Sequence, residues 1–329
     1  MAREYAKTHK EWEKPLTELE DNIAKLRELA RRENDPIKRN DLNEKAARYQ
    51  EQCDRFLNLM YRNLGDWEKV LIARAERRPY SLDYIQAISS GFIELDGDRL
   101  GFSDHAIIGG PALLEGRPVM IVGHQKGRNI QERQFRNFGM AKPEGYRKAI
   151  RLFEMAERFS MPVICLVDTP AADPGVESES RGISEAIAAA MLKMFELTVP
   201  SVAVVIGEGG SGGAIGIAVA DRVLMQEYAV YSVIPPEGCA AILWRAPERA
   251  PEAAEALRVT APSALEYGVI DGIIEEPPGA AHRDPISAAA NLKEAILNAL
   301  TELDGIGPET RKAARYEKFR QMGRFATLR

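Results

Sequence analysis

VPSVAVVIGEGGSGGAIGIAVADRVLM, residues 199–225, is the stretch from which the rest of the chain can be read. An apolar, largely β-branched run at 202–206 enters a segment with five glycines in the seven residues 207–213, then leaves as an alanine-rich helix from about Ala214. The order strand, glycine turn, helix N-terminus places backbone N–H groups that lack intrahelical acceptors at the positive end of a helix dipole. Glycine lets such a backbone approach a ligand closely. The chemistry expected here is therefore that of backbone amides facing an oxyanion or phosphate.

Several accounts of this turn remain open from its residues. Gly207-Glu208-Gly209-Gly210-Ser211-Gly212 fits the G-x-G-x-x-G dinucleotide pattern, although it falls late in the chain and without a clear βαβ unit. Gly209-Gly210-Ser211-Gly212-Gly213 fits the nucleophile elbow G-x-S-x-G, with Asp271 and His282 following Ser211 in triad order. His282 sits in a Pro/Gly-rich loop, EEPPGAAHRDP, where most histidines are solvated or structural. An oxyanion hole without a side-chain nucleophile is the third account. Strand–helix packing that only glycine permits is the fourth.

Composition narrows the class. The 329 residues suffice for a sizeable core in one to three domains. With 44 basic and 49 acidic residues the net charge is −5, which argues against a general nucleic-acid or anionic-membrane surface. No apolar run reaches the ~20 residues that a membrane span needs. The opening MAREYAKTHKEWEKP has no hydrophobic signal region, so a cytoplasmic location is expected. Cys53, Cys165 and Cys239 lie far apart with no C-x-x-C pair. Neither a disulfide framework nor a metal bound by this chain is expected from them.

Three regions follow. Residues 1–80 read as a helical, subunit-packing region. Leu16, Leu19, Ile23, Leu26 and Leu29 form one stripe at helical spacing, and Leu42, Tyr49, Cys53, Phe56 and Met60 form a second beyond the Asp35-Pro36 break. A short third helix is expected near 66–77. Residues 81–283 alternate strands (106–108, 119–123, 163–168, 202–206, 223–225, 230–233) with helices (143–159, 180–196, 212–220, 237–244, 250–257), an α/β core. Residues 284–329 read as a polar helical segment ending in a basic tail.

Two further segments end at strands. Lys126 and Arg128 follow the 119–123 run and suit a carboxylate or phosphate as well as they suit solvent. Asp168-Thr169-Pro170 reads either as a capping turn or as the wall of a pocket.

Taken in order, RPYSLDYI, ELDGDR, GRPVMIVGHQKGR, NFGMAKPEGYRKA, DTP with DPGV, SEAIA, VIGEGGSGGAIGI, YAVYSVI with PEGCAAILW, APEAAEAL and AHRDP cover about residues 12–300. The series resembles the carboxyltransferase α subunit of bacterial multi-subunit acetyl-CoA carboxylase. The resemblance implies a crotonase-like α/β fold: a ββα spiral core with an N-terminal helical hairpin and C-terminal helices. It implies transfer of the carboxyl group of carboxybiotin, borne on a separate carrier protein, to acetyl-CoA, giving malonyl-CoA for fatty-acid synthesis. It also implies an α2β2 assembly with a β subunit that holds the zinc ribbon and most of the acetyl-CoA site. ATP is then used only by a separate biotin carboxylase.

By the same resemblance, backbone N–H groups of Gly212, Gly213 and Ala214 form the biotin oxyanion hole. Lys126 and Arg128 steer the transferred carboxyl group. Thr169, Pro170, Ala171, Ala172, Gly209, Gly210, Glu237 and Gly238 wall the biotin pocket. The released ureido anion then serves as base, which fits a chain with four histidines and no convincing triad. Met191-Leu192-Lys193-Met194 echoes a biotinylation site without its usual context, so Lys193 is expected to be an ordinary exposed lysine. The chain departs from the family pattern at Ala171, Asp173, Ser180, Ile183 and Pro235. A different acyl-CoA substrate, a weakened scaffold paralogue and a serine hydrolase using Ser211 are the alternative readings.

Overall fold

The computed structural model describes residue 6 and residues 8–323. The end of the basic tail therefore lies outside the described residues.

Helices α1 (His9–Arg32) and α2 (Pro36–Arg62) form the expected hairpin, followed by α3 (Asp66–Ala73) and α4 (Ser81–Ile88). Strands β1 (Ile107–Leu114) and β2 (Arg117–His124) lead to α5 (Ile130–Phe135) and α6 (Pro143–Arg158). β3 (Val163–Thr169), α7 (Val176–Ser180) and α8 (Ile183–Glu196) come next, then β4 (Ser201–Gly210) and α9 (Ser211–Ile215). β5 (Arg222–Gln226), β6 (Val230–Ser232), α10 (Pro236–Trp244), α11 (Ala250–Leu257), α12 (Ala261–Glu266) and β7 (Gly272–Ile274) complete the core. The chain closes with α13 (Pro285–Asp304) and α14 (Pro308–Arg320).

The strands make one sheet in the order β1-β2-β3-β4-β5-β7, with β6 joined to β4. All pairings are parallel except β1 with β2. The continuous apolar runs arise because both faces are covered, as parallel sheets require. On β4, Ala203 and Val205 enter the cluster formed with α6 and α8. Val202, Val204 and Ile206 enter the opposite cluster with α4 and α13. Alternation along the strand thus divides one hydrophobic run between two cores.

The structure departs from the sequence expectations in three places. β1 extends through Gly109-Gly110-Pro111, residues that ordinarily punctuate turns. A Cβ at Gly110 would lie 1.8 Å from the Ile93 carbonyl oxygen, so glycine here serves close backbone approach. β7 was not expected: its three residues are too few to show a period. α13 is not merely polar, because Leu292, Ile296, Leu300 and Leu303 cover one face of the sheet. α14 is fastened to the residues just ahead of β5 and β7. Asp221 accepts from Arg315 Nε at 2.8 Å, and Lys318 Nζ donates to Asp271 at 2.7 Å, so these cations of the basic segment are committed inward.

In the hairpin, Leu16 and Ile23 meet Cys53 with Phe56 and Met60. Apolar residues of the hairpin are also uncovered: Leu29, Ile37 and Leu59 are 55%, 81% and 62% exposed.

Candidate functional site

The glycine-rich segment is mostly strand, not turn. Residues 202–205 of β4 pair with β5, and residues 208–210 continue onward to pair with β6. A bulge in β3 between Val167 and Thr169 accompanies the change of partners. It sets Asp168 over the β4 backbone, where its Oδ1 accepts from the Glu208 N–H at 2.9 Å. A Cβ at Gly207 would stand 2.4 Å from that oxygen, so a side chain here would displace the carboxylate. Gly210 is as tightly met, by the Pro170 carbonyl oxygen at 1.9 Å from the same construction.

Helix α9 begins at Ser211, three residues before the start near Ala214 that the sequence suggests. The shift matters for chemistry. The N–H groups of Ser211, Gly212 and Gly213 fall in the unpaired first turn, whereas Ala214 is the first position able to bond back to the Gly210 carbonyl. Gly213 and Ala214 are buried, Gly212 is half-buried and Ser211 is exposed. A Cβ on Gly213 would meet the backbone of Ala171 and Ala172 at 2.5 and 2.6 Å. One on Gly212 would meet only Ile187 Cδ1, at 3.4 Å.

Ser211 carries a φ of 49°, the strained backbone that a nucleophile elbow shares. Its supposed partners are elsewhere. Asp271 accepts from the Val223 N–H and from Lys318, and His282 is buried against Glu13 of α1. Among the described residues no hydrogen bond joins Ser211 to a histidine. The Ser211–Asp271–His282 triad is not assembled.

Lys126 sits where β2, β3 and β4 converge. Its Nζ lies 2.7 Å from Asp168 Oδ1 and 2.8 Å from Glu208 Oε2. Arg74, beyond α3, donates to Glu208 at 2.7 Å and also to Glu237 on α10. Burial alone would raise the Glu208 carboxyl, but Lys126 and Arg74 outweigh it and hold its pKa at about 2. For Asp168 burial dominates and pushes the pKa up against the pull of Lys126. His124, at the end of β2, is kept neutral by complete burial and by Lys126, with a pKa of about 3.

Arg128 does not join this group. Its guanidinium pairs with Asp83 and donates to the Glu76 carbonyl at 2.9 Å while lying over the Tyr80 ring. Lys193 is also committed, to Glu157 at 3.0 Å, so it is not the ordinary exposed lysine expected. Glu208 and Arg74 escaped the sequence reading, whereas Glu237 was expected there as a pocket wall. A lone carboxylate amid strand glycines was the available signal for Glu208. Nothing in the RAERRP run distinguishes Arg74.

The loop after β3 closes over α9. Thr169 Oγ1 donates to the Ala171 carbonyl at 2.6 Å, fixing the turn that abuts Gly210 and Gly213. The departures from the family pattern have local partners. Asp173 accepts from Ser178 and, at 3.2 Å, from Asn137, and Ala171 adopts no positive φ. Ser180 Oγ donates to the Glu177 carbonyl, Ile183 is buried at the start of α8, and Pro235 caps α10. Thr169, Pro170, Ala171 and Ala172 therefore meet Gly209 and Gly210 on one side of α9, while Glu237 is tied in through Arg74. A recess of about 20 Å³ lies between Pro170, Glu208, Gly210, Val230 and Pro236, about the room of one water.

The family profile described as acetyl co-enzyme A carboxylase carboxyltransferase-like matches residues 9–323. The acetyl-coenzyme A carboxylase carboxyl transferase subunit alpha of Geobacter metallireducens is 51% identical over 316 residues, 96% of this chain and 98% of that protein. The Thermus thermophilus protein of the same name is also 51% identical, with the same coverage. Among solved structures, a Pseudomonas malonate decarboxylase hetero-tetramer in complex with coenzyme A superposes with a TM-score of 0.58 at 17% identity, over 73% of this chain and 92% of that one. Transcarboxylase 12S, with hydrolyzed methylmalonyl-coenzyme A bound, gives 0.55 at 23% identity, over 68% of this chain and 41% of that one. These likenesses bear out the crotonase-like α/β architecture.

Proposed function

The chain belongs to the acetyl-coenzyme A carboxylase carboxyltransferase family, and from that premise we propose that it is the α subunit moving a carboxyl group from carboxybiotin to acetyl-CoA. The observation that carries the site assignment is the first turn of α9, seated against the backbone of residues 171–172 by a glycine that no other residue can replace. Neutral backbone donors suit an oxyanion whose charge appears only as the carboxyl group leaves. When bound, carboxybiotin supplies the carboxyl group to be transferred. The N–H groups of Gly212 and Gly213, with Ala214 behind them, stabilise negative charge on the ureido oxygen. The Thr169–Ala172 loop and Gly209–Gly210 hold the turn in place. Lys126 bridges Asp168 and Glu208 at the strand ends and so fixes the bulge that aims the turn. Arg128 receives a carboxylate only by releasing Asp83.

The recess is far too small for a bicyclic ligand, which supports a site whose remaining walls come from a second polypeptide. We assign them to a β subunit in an α2β2 complex, served by a biotin carboxyl carrier protein and a separate biotin carboxylase in the cytoplasm. No helix among the described residues is long and apolar enough to cross a membrane. The deciding measurement is decarboxylation of malonyl-CoA in the presence of free biotin, by this chain co-expressed with its β subunit. Turnover that needs both chains and biotin is expected. A complex that assembles but does not turn over would leave the scaffold reading in its place.

The same complex separates transferase from hydrolase. Ser211→Ala is expected to keep transfer within about tenfold, roughly 1.4 kcal/mol. A fluorophosphonate is expected to leave Ser211 unlabelled, and stoichiometric labelling would establish the hydrolase instead.

The uncovered apolar residues of the hairpin are the surface we assign to the β subunit. Because Ile37 and Leu59 are exposed, Ile37→Glu with Leu59→Glu is expected to change the isolated chain's stability by only about 0.5 kcal/mol each. Pull-down by tagged β subunit is expected to fall sharply. Undiminished capture would show that these residues are not the contact. Deleting the whole N-terminal region is a poorer test, since Val70 and Ile72 of α3 are fully buried in the body.

A further inference from the structure

We propose that His9, Glu13 and His282 form a binding site for a zinc-class divalent metal that clasps α1 to the body of the molecule. His9 and Glu13 stand one turn apart on α1, hence on one face of the helix. His282 comes from the loop between β7 and α13. Its Nε2 lies 3.0 Å from His9 Nε2 and 3.2 Å from Glu13 Oε1, and His9 Nε2 lies 3.3 Å from Glu13 Oε2. The rings meet edge to face, at 86°. All the side chains are substantially enclosed, with 14%, 7% and 3% exposure for His9, Glu13 and His282.

Hydrogen bonding alone serves this arrangement badly. A neutral imidazole has one N–H. If both Nε2 atoms donate to Glu13, two N–H groups face each other across 3.0 Å; if one accepts from the other, the carboxylate loses a donor. A cation between them uses all three lone pairs at once. Tetrahedral zinc with bonds of 2.0–2.2 Å has ligand atoms about 3.3 Å apart, close to the separations found. Two imidazoles with one carboxylate favour zinc and its neighbours over magnesium or calcium, which prefer oxygen.

The surroundings fit a held ligand set. Tyr61 donates to Glu13 Oε1, and Arg283 reaches Glu13 Oε2 at 3.3 Å, which orients the carboxylate as outer partners of metal ligands do. The guanidinium also opposes a purely electrostatic cation, which again selects a metal that nitrogen binds. A cleft of about 820 Å³ beside the cluster gives the ion a path and leaves room for water at a fourth position. The composition offered no metal-ligand spacing, because 273 residues separate the two histidines. The clasp sets the hinge of the hairpin, independently of the chemistry at α9.

The test uses the isolated full-length chain, stripped with chelator and titrated with Zn²⁺ by calorimetry at about pH 7.5, where metal binding releases few protons from histidine. Uptake of about one equivalent is expected, together with a rise in Tm. Co²⁺ is expected to give the intense visible absorption of a tetrahedral site. His9→Ala, at the more exposed edge, is expected to weaken Zn²⁺ binding by about 100-fold or more while leaving the circular dichroism spectrum of the metal-free chain unchanged. Should that variant unfold, His9→Gln gives the same readout with a polar group retained. No uptake at micromolar Zn²⁺ would overturn the proposal, and so would equal affinity in wild type and variant.

Discussion

Replacing the amide N–H of Gly213 with an ester oxygen, by incorporating glycolate at that position, is expected to slow carboxyl transfer by about 10²–10³, or roughly 3–4 kcal/mol. The ester adds no atoms beyond the oxygen that replaces nitrogen, so the turn keeps its contacts. It deletes one donor from the unpaired first turn of α9, where no intrahelical bond is lost. Side-chain substitutions cannot make this distinction. Proline at 213 also removes the N–H, but its Cβ would fall 2.5 Å from the Ala171 carbonyl carbon. Alanine at 213 is expected to displace residues 171–172 and lose activity by distortion. Alanine at 212, which meets only Ile187 Cδ1, is expected to be near wild type. Capture by the β subunit reports assembly in each case. A correctly assembled glycolate variant with normal turnover would remove Gly213 from the oxyanion hole.

Lys126→Met is expected to destabilise the isolated chain by about 3–5 kcal/mol in urea unfolding, the cost of leaving buried charge uncompensated. Among the described residues its ammonium is the one cation in contact with both Asp168 and Glu208, whose side chains are 3% and 12% exposed. Arg74 still offsets Glu208 in the variant, so the greater part of the loss falls on Asp168. Adding Asp168→Asn to Lys126→Met is therefore expected to recover much of the stability. Transfer activity is not expected to return, because the bulge that Asp168 and Lys126 brace over Gly207 sets the position of α9. A loss below about 1 kcal/mol would mean that water replaces the ammonium and that the site is wetter than its burial implies.

The strands near 119–123, 163–168 and 202–206 and the paired apolar stripes were legible in the sequence because each signal is periodic and local. Strand runs alternating with helical stretches announced an α/β core, and Leu16, Ile23 and Cys53 announced a hairpin. The ordered motifs carried the family, since together they constrain most of the chain. The glycines at 207–213 declared a close backbone approach without saying to what. Only the tertiary structure decided that Asp168 occupies the space beside Gly207, that helix α9 starts at Ser211, and that Arg128 is held by Asp83. It alone brought Arg74 to Glu208 and His9 to His282, across 134 and 273 residues. Periodicity reports which face of an element is buried. It carries no record of which distant side chain will be met there, and a charge or a metal site is made from that meeting.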